Sequence, residues 1–221
     1  MNYLPTILVA IADDHRLVRS GIIILINSMN FGCHVFIEAD DGHELLDKIA
    51  RSQCQPDVCV IDISMPGMDG YETTLELIKI YPLIRVLALS VHNEEQAVLR
   101  MMKNGAKGFI SKNCDSETLK KAILTVYDYN IFFSDELLKT CPNLATVPLE
   151  ELIKRILTDQ EIKFLGLCRT EMTYRQIGEQ MYLAKRTAEN YALKLAEQLG
   201  IHGREGLIAY AERMGITPPR K

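Results

Sequence analysis

At 221 residues the chain is longer than one average domain and shorter than two large ones. Its 48% hydrophobic content is ample for a core and its 24% charged residues are ordinary for a soluble protein. No apolar run reaches the ~18 residues of a membrane span. The N-terminal Met-Asn-Tyr-Leu-Pro lacks the basic and apolar regions of a signal peptide, so a cytoplasmic protein with no membrane partner is expected. Cys33, Cys54, Cys59, Cys114, Cys141 and Cys168 form no C-x-x-C pair, and the five histidines are as scattered, which favours reduced, mostly buried thiols over disulfides or zinc. The net charge of −4 is uneven: −5 over residues 1–130, −1 over 131–157 and +2 over 158–221. A mildly basic C-terminal piece on an acidic body points weakly toward nucleic acid.

The apolar run Ile7 to Ala12 predicts a strand that ends in Asp13-Asp14. Apolar positions 17, 18, 22 and 25 predict a helix running to about Asn27. His34 to Ala39 reads as a second strand, and Gly42 to Ser52 as an amphipathic helix with Leu45, Leu46 and Ile49 inward. Val58 to Ile61 is a third strand that delivers Asp62 to its end. The breaker-rich turn Ser64-Met65-Pro66-Gly67 follows, then a helix from Asp69 to Tyr81 stopped by Pro82. Val86 to Leu89, ending at Ser90, and Gly108 to Ser111, ending at Lys112, flank a helix from Glu94 to Lys103. Ser116 to about residue 129 closes the series. Five strands alternating with five helices predict an α/β doubly wound parallel sheet. Right-handed crossovers place every strand's C-terminal end on one edge, where Asp13, Asp14, Asp62, Ser90 and Lys112 would meet.

Residues 132–156 are punctuated by Pro142 and Pro148 and read as a linker with a short helix over 149–156. Beyond it, Thr158-Asp-Gln-Glu161 and Thr173-Tyr-Arg-Gln176 are capping-box patterns that open two helices. Residues 184–199 and 204–214 predict two more. The three-residue connection Tyr182-Leu183-Ala184 suggests a small all-α helix-turn-helix domain. The expected domains are therefore 1–131, the linker 132–156, and 157–221.

Three converging carboxylates repel one another and need a counter-charge. A hard divalent cation such as Mg²⁺ takes oxygen ligands and keeps several waters, so two or three carboxylates suffice. Mg²⁺ with Lys112 opposite suits a transferring phosphoryl group, and Asp62 would be its nucleophile.

The set Asp13-Asp14, Asp62 with Met65-Pro66-Gly67-Met68-Asp69-Gly70, Ser90 and Lys112 resembles the receiver domain of two-component response regulators over residues 6 to about 130. The resemblance implies a flavodoxin-like strand order 2-1-3-4-5. It implies that Asp62 accepts a phosphoryl group from a sensor histidine kinase. Asp14 would ligate Mg²⁺ directly, Asp13 through a water, and the Ser64 main-chain carbonyl would complete the set with Asp62. Lys112 would pair with the phosphoryl oxygens and Ser90 would hydrogen-bond to one. Phe109 sits at the switch-aromatic position, where its inward state would rest on packing alone. Asn113 stands where many receivers have Pro, and a non-proline cis bond there would cost about 2.5–4 kcal/mol.

Leu157-Thr158-Asp159-Gln160-Glu161, Met172 to Gly178 and Thr187 to Tyr191 resemble the LuxR-type helix-turn-helix, which with a receiver is the NarL/FixJ architecture. The resemblance implies double-stranded DNA as a partner and a homodimer when phosphorylated. The helix from Lys185 would enter the major groove, with Glu189 and Asn190 reading base edges. Lys185, Arg186 and Lys194 would contact phosphates, with Lys163, Thr173 and Arg175 as further candidates. Tyr191 could also hydrogen-bond to phosphate. Ala192, Leu193 and Gln198 stand where relatives often carry basic residues, so this helix is thin in positive charge. Leu195 and Leu199 read as core, and Leu193 as either core or contact. The expected function is a phosphorylation-controlled DNA-binding transcription regulator, not a conventional enzyme. Its competitors are a phosphorylation-dependent protein-interaction regulator, with the Ala192-Leu193 pair as contact, and a receiver that is never phosphorylated. An aspartyl phosphatase is weakened by Ser64, because the second catalytic carboxylate it needs at that position is missing.

Overall fold

The computed structural model describes residues 6–28, 32–91, 94–128, 131–142, 144, 157–199 and 201–219. The chain divides into two compact units, Met1–Val147 and Pro148–Lys221.

In the first unit the order is β1 (Ile7–Ala12), α1 (Arg16–Ser28), β2 (Cys33–Ala39), α2 (Gly42–Arg51), β3 (Val58–Asp62), α3 (Gly70–Ile80), β4 (Arg85–Ser90), α4 (Glu95–Lys103), β5 (Ala106–Ser111), α5 (Ser116–Tyr127), β6 (Phe132–Phe133) and α6 (Asp135–Thr140). All strands are parallel, in the order β2-β1-β3-β4-β5-β6. This is the expected flavodoxin-like order with one strand more than predicted.

Every residue of β3 and β4 is buried, as a central parallel strand covered on both faces requires. Edge strand β2 alternates buried and exposed positions. Alternate residues Val9, Ile11, Val58, Val60, Leu87 and Leu89 pack against α1 and α5 through Ile22, Ile26, Leu119, Ile123 and Val126. Helices α2 to α4 cover the other face. Asp41, Asp69 and Asp115 N-cap α2, α3 and α5, each accepting a main-chain N–H at 2.7–2.9 Å. Such a cap contributes about 1 kcal/mol.

Two expectations are corrected here. The segment after residue 131 is not all linker: Phe132 and Phe133 pair with Gly108 and Phe109 of β5, and Ser134 caps α6. Two residues are too few to show a period, which is why this strand is not legible in the sequence. In α1, Leu17 is 90% exposed, and the inward stripe is instead Arg19, Ile22 and Ile26. The short helix expected over 149–156 lies outside the described residues. No cis peptide bond occurs among the described residues, so Lys112–Asn113 is trans.

The second unit contains α7 (Asp159–Cys168), α8 (Tyr174–Met181), α9 (Lys185–Gln198) and α10 (Gly203–Arg213). Both predicted capping boxes form, Thr158 with Glu161 and Thr173 with Gln176. Phe164 is the centre of the core, parallel to Tyr174 with centroids 6.3 Å apart and edge-on to Tyr191 at 5.0 Å. Between α8 and α9 the chain reverses through Tyr182 at φ 58°, and the Leu183 N–H donates to the Gly178 carbonyl at 2.8 Å. A Cβ on Gly178 would lie 2.7 Å from the Leu183 carbonyl oxygen, so only glycine permits so tight a turn.

Candidate functional site

The C-terminal ends of β1, β3, β4 and β5 bring the predicted pocket together. Asp13 and Asp62 are 0% and 1% exposed. The Lys112 ammonium lies 2.8 Å from Asp13 Oδ2 and 2.7 Å from Asp62 Oδ2, so one buried cation spans both carboxylates. Asp14 is half-buried and meets His15, whose Nδ1 is 2.8 Å from Asp14 Oδ1 and 3.4 Å from Asp13 Oδ1. The His15 N–H donates to Asp13 Oδ1 at 2.8 Å and the Ser64 N–H to Asp62 Oδ1 at 3.3 Å. The side chain of Ser64 is exposed, while Ser90 is buried and pairs in register with Ser111. The Lys112 N–H donates to the Ser90 carbonyl at 2.8 Å, which fixes the lysine against the end of β4.

A close approach behind Asp62 holds its loop. The Gly70 N–H donates to the Ile63 carbonyl at 3.0 Å. A Cβ on Gly70 would lie 2.3 Å from the Asp62 carbonyl oxygen and 2.7 Å from Ile63 Cα, so α3 begins directly against the strand end. An open cleft of about 280 Å³, lined by Ile63, Ser64, Tyr71, Ser90, Glu94 and Ala97, gives access on this side. Arg100 stacks on the Tyr71 ring 4.0 Å from its centroid and braces the wall.

The electrostatics follow from burial. Removal from water pushes the Asp62 carboxyl above its ordinary range, the nearby Asp13 adds to this, and Lys112 pulls the other way. Burial works to lower Lys112, but its bonds to Asp13 and Asp62 prevail and hold the ammonium above its ordinary value. Two carboxylates, Asp13 and Asp62, thus share one fixed lysine.

The donor set suits a hard divalent cation. Ligand atoms of Asp13, Asp14, His15 and Asp62 all lie within 4.8 Å of one another. Among the described residues, Asp13 Oδ2 and Asp62 Oδ2 accept nothing beyond the Lys112 ammonium, and Asp14 Oδ1 nothing beyond His15. Such orphaned oxygens are ready ligands. The sequence reading missed His15; its only signal was its place directly after the aspartate pair.

Phe109 is fully buried in β5, in register between Ala88 and Phe133.

In the second unit, α9 turns Ala188, Tyr191, Ala192 and Leu195 inward and leaves Lys185 and Arg186 exposed. Glu189, Asn190 and Lys194 are half-buried on the outer side, and Leu193 is 61% exposed. The candidate residues of α9 thus lie outside its buried stripe, spread over about half of the helix circumference. Two earlier expectations fail. Tyr191 cannot reach a phosphate, because it is buried beside Phe164; burial, then Glu161, push its phenol far up, against a hydrogen bond with Thr158. Ala192 is core and cannot be half of an exposed contact pair. The face is also partly self-neutralised: Lys185 lies 3.6 Å from Glu189, and Arg175 3.2 Å from Glu179. Thr173 spends its hydroxyl on Gln176 at 3.0 Å, and the Lys163 ammonium donates to the Gln180 carbonyl at 3.3 Å. Arg186 stands at the first turn of α9, whose N-cap Ala184 offers no side-chain hydrogen bond.

Fold and pocket together define a receiver, a domain built to carry a modifiable carboxylate at a sheet edge. The family model of the response regulator receiver domain matches residues 9–124. The chain is 29% identical over 217 residues to the oxygen regulatory protein NreC of Staphylococcus carnosus strain TM300, covering 92% of this chain and 95% of that one. It is 27% identical over 228 residues to the transcriptional regulatory protein DegU of Brevibacillus brevis, covering 96% and 95%. Among solved structures, a LuxR-family two-component response regulator from Aurantimonas sp. SI85-9A1 matches with 26% identity and a TM-score of 0.59, over 64% of this chain and 99% of that one. The chain belongs to the two-component response regulators, in the NarL/FixJ family. Response regulators are not a family of conventional enzymes. Among the described residues no helix is long and apolar enough to cross a membrane.

Proposed function

We propose that Asp62 is the phosphoacceptor of a cytoplasmic phosphorylation switch whose C-terminal domain, residues 157–221, binds double-stranded DNA, two copies acting together when phosphorylated. The observation that carries the reading is the Lys112 ammonium placed within 2.8 Å of both Asp13 and Asp62. A carboxylate oxygen of Asp62 attacks phosphorus, the P–N bond to a sensor kinase's phosphohistidine breaks, and the imidazole leaves with the bonding pair. Lys112 follows the charge onto the phosphoryl oxygens. The Ser90 hydroxyl supplies a hydrogen bond to one of them. Asp13, Asp14, Asp62 and the Ser64 carbonyl would hold Mg²⁺, which neutralises charge on the transferring group. Ser90 and Phe109 would then report the event through repacking, a shift between existing populations.

Support for the DNA half is that Lys185, Arg186, Glu189, Asn190 and Lys194 all lie outside the buried stripe of α9, and that Thr173 and Arg175 of the preceding helix are exposed as well. DegU, a relative over almost the whole chain, is named as a transcriptional regulator. Intact mass after incubation with a small acyl-phosphate donor and Mg²⁺ tests the first half. One phosphoryl group is expected, absent in Asp62→Asn; no uptake by the unaltered chain would falsify the reading. Footprinting of the same samples on genomic fragments at low salt tests the second.

A protein-interaction reading is favoured by one feature, the exposed Leu193 amid cations already paired with Glu179 and Glu189. Phosphorylation-dependent capture of a partner that survives high salt, with no DNA bound, would establish it instead.

A further inference from the structure

A second buried cation lies behind the pocket. Arg19 of α1 is 7% exposed and has no part in the chemistry described above. One terminal guanidinium nitrogen donates to the main-chain carbonyl of Asp13, and also to that of Ala39 at 3.2 Å. Nε lies 3.2 Å from Glu38 Oε2, and the other terminal nitrogen 2.6 Å from Asp40 Oδ1. The Asp13 N–H donates to the same Ala39 carbonyl at 3.2 Å. Asp13 is thus held on both sides, its N–H by the end of β2 and its C=O by the guanidinium.

The Asp13 carbonyl belongs to the peptide unit that joins Asp13 to Asp14. Peptide units are planar, so fixing this oxygen and the preceding N–H fixes the direction in which the Asp13 side chain leaves the chain and the point from which Asp14 starts. Arginine suits the task because its planar fork carries five donors, enough for two carbonyls and two carboxylates at once.

We propose that Arg19 is a positioning residue for divalent-cation binding: by clamping the Asp13–Asp14 peptide to the end of β2 it presents the two aspartates as a ready pair. The proposal rests on the reading that this pocket holds Mg²⁺. It makes Arg19 different in kind from Arg85, the other buried arginine among the described residues. Arg85 starts β4 at the opposite sheet edge, where it pairs with Asp57 and lies over Tyr127 at 5.1 Å, far from the pocket.

Titration calorimetry of the full chain with MgCl₂, read beside far-UV circular dichroism and a melting curve, tests this. Arg19→Met is expected to keep its secondary structure and to bind Mg²⁺ about tenfold more weakly, the scale of a lost supporting bond to a ligand residue. Arg19→Lys should recover part of the affinity, since charge returns without the fork. Arg85→Met should lower the melting temperature and leave Mg²⁺ affinity unchanged, which separates positioning from stability. If Arg19→Met does not fold, Asp40→Ala decides, because it frees one arm of the clamp at the surface; a weakening of about threefold is expected, the scale of a half-exposed ion pair. A folded Arg19→Met or Asp40→Ala with unaltered Mg²⁺ affinity overturns the proposal. Absence of Mg²⁺ uptake by the unaltered chain overturns the cation reading itself, and this proposal with it.

Discussion

The two charged regions of this protein are built on opposite plans. In the pocket, the Lys112 side chain is 7% exposed and those of its acidic partners 0% and 2%. On the outer face of the helix-turn-helix, Lys185 and Arg175 are 64% and 75% exposed, and each pairs with an acid one turn on. Buried charges act at low dielectric and in one geometry, so each residue is decisive. Exposed ones act through a screened, summed field, and each counts for little. The trigger is therefore rigid and specific, and the output surface adjustable.

The sharpest way to break this comparison is at Lys112. Lys112→Met should slow phosphoryl uptake from an acyl-phosphate donor by about a hundredfold, read as the time course of intact mass. A loss of only a few fold would mean that the pocket works like the surface. Arg186→Ala, the counterpart on α9, should weaken DNA binding a few fold at moderate salt. It should also reduce the slope of log K against log salt by about one. A base-selective loss, with the salt slope unchanged, would show that the surface works like the pocket.

Asp40 gives the smallest and most informative effect, because it is half-exposed yet bonded to the buried Arg19 behind the pocket. Hydrogen bonding to Arg19, and the Arg19 charge, hold its carboxyl below the ordinary 3.8. A depressed folded-state value adds stability above that ordinary value and loses it as pH falls through the folded value. Asp40→Asn should therefore be less stable than the unaltered chain at neutral pH, by a difference that shrinks at pH values below 3.8. Denaturant midpoints across that range check it; a difference independent of pH would mean the pair contributes through packing alone.

Asp13, Asp14, Asp62, Ser90 and Lys112 were all legible in the sequence, because apolar strand runs end abruptly in polar groups and parallel topology gathers those ends. Arg19 was not, although its signal exists: it stands three residues before Ile22 and seven before Ile26, on the inward stripe of α1. The apolar positions 17, 18, 22 and 25 marked a helix without singling out its inward face. A helix with apolar residues on two faces has no unique inward side until a sheet is placed beside it. Tyr191 was expected near phosphate from the resemblance alone, whereas Phe164 claims it for the core. Capping boxes, by contrast, are local, and both formed where Thr158 and Thr173 announced them.

Gly70 carries no functional group, yet the backbone of Asp62 and Ile63 fills the space where its side chain would stand. In evolutionary terms the site has a silent member. Any side chain at this position would have to move the first turn of α3 or the backbone at Asp62 and Ile63. A substitution here would therefore reach the Asp62 carboxylate through the main chain, without touching it. Comparing sequences by chemistry alone would overlook it.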